Sequence, residues 1–416
     1  MLPTREAALA LLDWAEAQNP GPWKRHSLSV ARAAERIAAA SGMDAERAFI
    51  LGALHDIGRY EGSRGAHHIV AGARLLRERG WEDAARICLT HSFPDGDPDK
   101  YIGAWDLAPE EDREVRGFLS GVRFDDEDRL IQLADALGAA EGVVLMEKRL
   151  IDVVLRHGAF AGLEKKWRAW TSILADFDRR VGGSVYALFP EVEVRTFGAL
   201  APIQPPYRTM PEAESIRPDR AEALRLLDWA EAQNPGIWKQ HSLNVARAAE
   251  RIAAAAGLDA ERAFVLGALH DIGRYVGRCS ARHIITGARL MREKGYDAAA
   301  RICLTHSFPD KNLDNHLGWD VSAEDRAEVQ AFIDAAVYDD YDRLIQLCDA
   351  LAMSGGVVLM EKRLVDVGLR YGLRPGIEEK MRAFIAIQRD FEARIGGSLY
   401  ALFPEAAANT LRMGSA

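Results

Sequence analysis

Leu51-Gly-Ala-Leu-His55-Asp56-Ile-Gly-Arg59-Tyr60 places an adjacent histidine and aspartate at the end of an apolar run, and Leu266-Gly-Ala-Leu-His270-Asp271-Ile-Gly-Arg274-Tyr275 repeats it letter for letter 215 positions later. A carboxylate in such surroundings is costly to bury unless it is hydrogen-bonded, paired with charge or bound to metal.

The repeat extends far beyond the ten residues: Arg5 to Pro190 matches Arg220 to Pro404, with the offset falling to 214 after the loops near Pro94 and Pro309. That period is too long for a solenoid and right for a duplicated domain. The expected organisation is a first domain over 1–190, a Pro-rich linker over 191–218, a second domain over 219–404 and a flexible tail over 405–416. Within each copy the apolar spacing is helical. Ala7 to Glu16 reads as an amphipathic helix stopped at Asn19-Pro-Gly-Pro22, and a second helix follows from His26 to Gly42. Asp44 is the expected N-cap of a third, which carries Phe49, Ile50 and Leu54 inward and reaches His55-Asp56. Further helices are expected at 68–80, 82–91, 109–119, 126–137, 143–157 and 163–181. No period-2 run flanked by hairpin signals stands out, so the fold class is all-α: two tandem helical bundles related by a pseudo-twofold repeat.

Composition bounds the function. The chain has 416 residues, a net charge of −9 and 53 Lys and Arg interspersed with acids, with a pI near 5.7. Duplex nucleic acid is a poor partner for such a surface, whereas a small anionic substrate can still meet local arginines. The four cysteines, Cys88, Cys279, Cys303 and Cys348, form no CxxC pair and suit a reducing compartment. No apolar run approaches the roughly 20 residues a bilayer requires, and no signal-peptide core follows Met1. The expected location is cytoplasmic, without a membrane partner.

Duplication sorts the eleven histidines. Eight are matched: His26 with His241, His55 with His270, His68 with His283, and His91 with His306. His67, His157 and His316 face other residues in the opposite copy and read as solvated or rim positions. One acid joins the set in each copy, Asp135 and Asp349, set among apolar neighbours in Leu130-Ile-Gln-Leu-Ala-Asp135-Ala-Leu and Leu344-Ile-Gln-Leu-Cys-Asp349-Ala-Leu. Four imidazoles and two carboxylates without thiolates suit Fe, Mn, Co, Ni or Zn, and suit Mg or a structural zinc finger poorly. Six ligands exceed what one open catalytic ion needs. Two ions about 3.5–4 Å apart, sharing one carboxylate, fit the number better. Arg59 and Arg274, three residues after Asp56 and Asp271, are placed to offer a guanidinium to a phosphate. Arg129 and Arg343 are weaker substrate-binding candidates. Asp125-Asp126 and Asp339-Asp340 read as helix N-terminal charges, and Trp23, Trp238, Cys88 and Cys303 as packing residues.

The order His26, His55-Asp56, His68, His91, Asp135 resembles the HD-domain superfamily of metal-dependent phosphohydrolases, in particular its two-metal branch. The resemblance covers both copies. His68, Gly72-Ala73 and His91 are also similar to the corresponding stretch of small bacterial HD enzymes that hydrolyse dinucleoside polyphosphates, and to HD-GYP cyclic-dinucleotide phosphodiesterases. Ser92 and Ser307 stand where HD-GYP proteins carry a further histidine, and no GYP occurs, which argues against cyclic-dinucleotide cleavage. The resemblance implies that His26, His55, Asp56 and Asp135 hold one ion and that Asp56 bridges to a second held by His68 and His91. It implies the same of His241, His270, Asp271 and Asp349, with His283 and His306, in the second copy. Each domain would then carry two divalent transition-metal ions, with Asp56, Asp271, Arg59 and Arg274 as catalytic residues.

The expected function is hydrolysis of a phosphate ester or anhydride, of a nucleotide by preference, at two binuclear sites. One alternative is an HD-type di-iron oxygenase cleaving a C–C or C–P bond with O2. Another is a nucleotide-binding regulatory module. By analogy with pairing of single-copy relatives, the two halves are expected to form an intramolecular pseudo-dimer.

Overall fold

The computed structural model describes residues 1–62, 65–198, 218–316 and 318–411. It divides into two compact units, centred on Met1–Thr196 and Phe197–Thr410. Most of the expected linker, 199–217, and the last residues of the expected tail, 412–416, lie outside the described residues.

In the first unit the helices are α1 (Arg5–Gln18), α2 (Trp23–Ser41), α3 (Ala45–Leu54), α4 (His67–Arg77), α5 (Glu82–Thr90), α6 (Pro109–Gly121), α7 (Asp126–Leu137), α8 (Met146–His157), α9 (Leu163–Val181) and α10 (Pro190–Phe197). The second unit repeats this order from Arg220–Gln233 to Glu405–Leu411. The fold is all-α, as the apolar period requires.

Local sequence explains the boundaries. Asp44 accepts from the Arg47 amide and starts α3, as expected. Asp125 and Asp128 form a reciprocal capping box at the start of α7, so the acidic cluster serves the helix and no ligand. The Trp23 indole donates to the Asn19 carbonyl at 2.8 Å and is 8 % exposed, a core residue that ties α2 to the end of α1.

Three expectations need correction. The helix expected over 143–157 begins at Met146, because Gly138–Ala139 and Gly142–Val143 pair as a two-residue antiparallel ladder. Ala352–Met353 and Gly356–Val357 do the same. Strands this short contain no alternation for a periodicity reading to detect. Within the stretch read as linker, 191–197 is helical: α10 opens at Pro190, Val192 is buried, and Arg195 donates to the Val143 carbonyl at 3.1 Å. Within the stretch read as tail, Glu405–Leu411 is helical. There the Thr410 hydroxyl, buried, accepts from the Leu359 amide at 2.9 Å, and Asn409 donates to the Val357 carbonyl at 3.0 Å.

What matters for the site is that α2, α3, α4, α5 and α7 each bring one polar residue to a common point. His26 lies in the first turn of α2, His55 caps α3, His68 lies in the first turn of α4, His91 caps α5, and Asp135 lies in the last turn of α7.

Candidate metal centres

The six residues converge in each unit. His26 Nε2 lies 3.0 Å and His55 Nε2 3.8 Å from Asp135 Oδ1. Asp56 faces two ways: Oδ1 is 3.1 Å from His68 Nε2 and 3.6 Å from His91 Nε2, while Oδ2 is 3.9 Å from His55 Nε2. In the second unit His241 Nε2 is 3.0 Å from Asp349 Oδ1, and Asp271 Oδ1 is 3.1 and 3.7 Å from His283 and His306. The ligand atoms of His26, His55 and Asp135, and those of His55, Asp56 and His91, lie within 4.8 Å of one another, as do those of His241, His270 and Asp349 and of Asp271, His283 and His306.

These centres fit metal ions on the chemistry of their donors. His55 donates Nδ1–H to the Gly52 carbonyl at 2.7 Å, His68 to Gly65 at 2.6 Å, and His91 to Cys88 at 3.0 Å. His270 and His306 do the same toward Gly267 and Cys303. Each such bond fixes the tautomer that leaves Nε2 as a bare lone pair pointing inward. Nε2 of His55 and of His270 is buried and has no hydrogen-bond partner. Buried polar atoms are almost always paired, so an orphan repeated at the matched position of both units calls for a ligand. Burial pushes His55 down to about 4, and lowers His68 and His283 as well, which keeps the rings neutral and able to coordinate.

Asp56 is 3 % exposed. Burial alone would raise its pKa, but the Arg59 guanidinium, with His55 and His68, overrides this and holds it well below the usual carboxylate range. Arg59 Nε donates to Asp56 Oδ2 at 2.5 Å, and Arg274 makes the same bond to Asp271. The arginine thus sits against the carboxylate shared by the two ligand groups.

The structure brings eleven of the twelve predicted ligands into those four groups, and His68 joins through Asp56. It does not bring Arg129 or Arg343 with them. Arg129 donates to the Pro94 carbonyl at 2.6 Å and to Gln132, and Arg343 donates to Pro309 at 2.7 Å and to Gln346, so the two arginines brace the loops after His91 and His306. His316, expected at the rim, is instead partly buried near the second centre: its ring packs against Phe308 and Trp319, and His283 and His306 act on it.

Several supporting residues were not singled out from sequence. Asp128 is fully buried, accepts from the Thr90 hydroxyl at 2.7 Å and Arg86 at 2.5 Å, and so anchors the end of α5 that carries His91. Gln132, also fully buried, donates to the Thr90 carbonyl at 3.0 Å. Lys166 is completely buried and donates to the Ser92 carbonyl at 3.0 Å. Its signal was available: Lys166 shares the apolar face of α9 with Leu163, Trp167 and Trp170, and Lys380 holds the matched place. Burial pushes Lys166 down to about 8. Because the folded value lies below the unfolded one, the unfolded chain holds more protons between about pH 8 and 10.5, and stability rises with pH across that window. Relative to Lys166→Met, wild type is expected to gain roughly 3 kcal/mol between pH 8 and 10.5, read by urea unfolding at each pH. A constant difference would show that the ammonium is not desolvated.

The fold and these centres define a duplicated helical protein with two His/Asp constellations that could hold metal ions. The HD domain family model matches residues 24–140 and again 238–354, windows that contain all twelve candidate ligands, and the chain belongs to the HD domain family. Among curated proteins it is similar to ribonuclease Y of Mycoplasma capricolum subsp. capricolum and to ribonuclease Y of Mycoplasma mycoides subsp. mycoides SC. Each is 29 % identical over 106 residues, which is 25 % of this chain and 20 % of the relative. The chain therefore spans about a fifth of the length of these relatives. No solved structure matches. Among the described residues no helix is long and apolar enough to cross a membrane.

Proposed function

We propose that the protein is a metal-dependent phosphohydrolase that uses each unit's centre to hydrolyse a phosphate ester or anhydride, with a nucleotide as the preferred substrate. The observation that carries this reading is the arginine set against the shared carboxylate: Nε of Arg59 is committed to Asp56, with no hydrogen bond to its two Nη groups from the described residues, while Arg274, bonded likewise to Asp271, gives one Nη to the Cys279 carbonyl at 3.4 Å and keeps the other for a ligand. A planar fork with two free donor groups matches the oxygens of a phosphoryl group. His26, His55, Asp56 and Asp135 would hold one ion and Asp56, His68 and His91 a second. When bound, such ions supply Lewis acidity at a phosphoryl oxygen and lower the pKa of water toward neutrality. Arg59 orients the phosphate and neutralises charge that develops on it. Asp56, kept ionised by that same arginine, has no proton to give at neutral pH and serves as a ligand and an electrostatic anchor.

The test is hydrolysis by protein loaded with Mn2+, Co2+, Ni2+ or Zn2+, read as released phosphate from mononucleotides and as chromatographically separated nucleotide products from dinucleoside polyphosphates and a short oligoribonucleotide. The last follows from the resemblance to ribonuclease Y, which favours a phosphodiester of RNA as a second reading. In an Asp271→Ala background, Arg59→Ala is expected to lower kcat/KM by about a hundredfold or more, and Arg59→Lys to restore only part of it. Unchanged kinetics in Arg59→Ala, or turnover seen only with iron and O2, would defeat the phosphohydrolase assignment.

A further inference from the structure

The two centres share their ligands but not the residue that closes over them. In the first unit a short helical turn, Pro98–Lys100, is capped at its C-terminus by Tyr101; in the second, Leu313–Asn315 is capped by His316. Tyr101 packs 6.0 Å from Phe93 and 5.6 Å from Trp105 between ring centroids, and His316 packs 5.7 Å from Phe308 and 5.4 Å from Trp319. The two rings therefore occupy equivalent places. Phe93 and Phe308 lie two residues beyond His91 and His306, so each ring hangs beside its centre. The ionisable groups that act on Tyr101 are Arg59, Asp56, Asp106 and Asp135. Those that act on His316 are Lys380, His283 and His306.

The loop that carries this residue has been rebuilt around an unchanged ligand set. Gly96, at φ 72°, is replaced in the second unit by Lys311 at φ 58°, the one positive-φ residue other than glycine among the described residues. Lys311 retains this left-handed conformation with its ammonium bonded to the Ala336 carbonyl at 2.5 Å and set 5.0 Å from the Tyr338 ring. Asn315, buried, donates to Asp310 at 2.6 Å, whereas the matched Lys100 reaches out to the Ala161 carbonyl at 3.1 Å. The Trp105 indole donates to Asp112, and the Trp319 indole to the Leu313 carbonyl. One ring nitrogen of His316, Nδ1, is buried with no hydrogen-bond partner.

Resting on the phosphohydrolase reading, we infer that the two centres accept different substrates and that Tyr101 and His316 set the difference, the second centre selecting a phosphorylated ligand that carries a hydroxyl group beside its phosphate. A hydroxyl both donates and accepts, so it satisfies His316 Nδ1 in either tautomer. A ligand lacking it leaves that nitrogen buried and unpaired, the situation in which hydrogen-bonding sites discriminate most strongly. The first centre presents a larger ring with its polar atom at the tip and has no such orphan at this position.

The test isolates each centre, using Asp56→Ala to leave the second and Asp271→Ala to leave the first. His55→Ala and His270→Ala serve as second variants should either aspartate variant fail to fold. Each Mn2+-loaded, anaerobic protein is titrated calorimetrically with 3,4-dihydroxybutylphosphonate and with butylphosphonate, which carry no P–O–C bond to hydrolyse. The second centre is expected to prefer the dihydroxy ligand by about tenfold or more, and the first by less than about threefold. His316→Tyr should reduce the preference of the second centre to that of the first, and Tyr101→His should raise the first. Equal preferences, unmoved by the exchange, would overturn this inference and leave the phosphohydrolase reading standing. Failure of both ligands to bind either metal-loaded variant would overturn the two together.

Discussion

Elemental analysis of Asp56→Ala is expected to return half the metal of the wild type, with about four ions per chain falling to about two. The reason is geometric. Asp56 is the one residue in its unit whose two oxygens face different histidines, Oδ1 toward His68 and His91 and Oδ2 toward His55. Its removal strips both ligand groups and leaves the partly exposed Arg59 guanidinium without its carboxylate. Asp271→Ala should do the same to the second unit, and the double variant should hold almost none. His68→Ala provides the contrast, since His68 approaches only Oδ1, and about three ions are expected to remain. Losing several kcal/mol of charge stabilisation at the phosphoryl group should lower turnover by the affected unit at least about a thousandfold. A full complement of metal in folded Asp56→Ala would show that the carboxylate is not shared. Equal losses in Asp56→Ala and His68→Ala would argue for a single ion per unit.

Gly58→Ala is expected to be among the most damaging single substitutions in the first unit, although it adds only a methyl group. A Cβ at Gly58 would overlap the His68 carbonyl oxygen and the Gly72 amide nitrogen, and one at Gly273 would overlap the same atoms of His283 and Gly287. Both obstacles are backbone, so no side chain can rotate away. The turn after His55-Asp56 would have to separate from α4, carrying Asp56 away from His68. The expected cost is roughly 3 kcal/mol of unfolding free energy, with loss of metal from that unit. Gly117→Ala is the control. Gly117 lies inside α6 with no heavy atom within 4 Å of a built Cβ, and alanine there should stabilise by about 0.5–1 kcal/mol. Chemical denaturation with metal analysis on the same samples decides both. A Gly58→Ala protein of wild-type stability and metal content would show that the two backbones need not touch.

Much of this molecule was legible before folding was considered. The helical period of α1 to α5, the cap at Asp44, the helix-starting charge at Asp125-Asp126 and the clustering of the twelve candidate ligands could be read because each depends on local spacing or on comparison of one copy with the other. Duplication gave the ligands their weight: His55 by itself is one buried histidine, whereas His55 and His270 in identical surroundings are a pattern. The same comparison misplaced His316. Its counterpart at the equivalent position of the first unit is Tyr101, and a side-by-side reading of unlike residues shows no match.

The sequence by itself determined the all-α class, the duplication and which histidines and aspartates to look for as a cluster, because hydrophobic periodicity and the cost of burying polar groups act through the order of residues. Only the tertiary structure decided that Arg59 lies against Asp56 while Arg129 braces a loop, that Lys166 is buried behind Ser92, and that helices continue into the stretches read as linker and tail. Each of these depends on which surfaces close over a side chain. A lysine or an arginine carries the same letter whether it is solvated or desolvated, and the difference lies in neighbours that are remote along the chain.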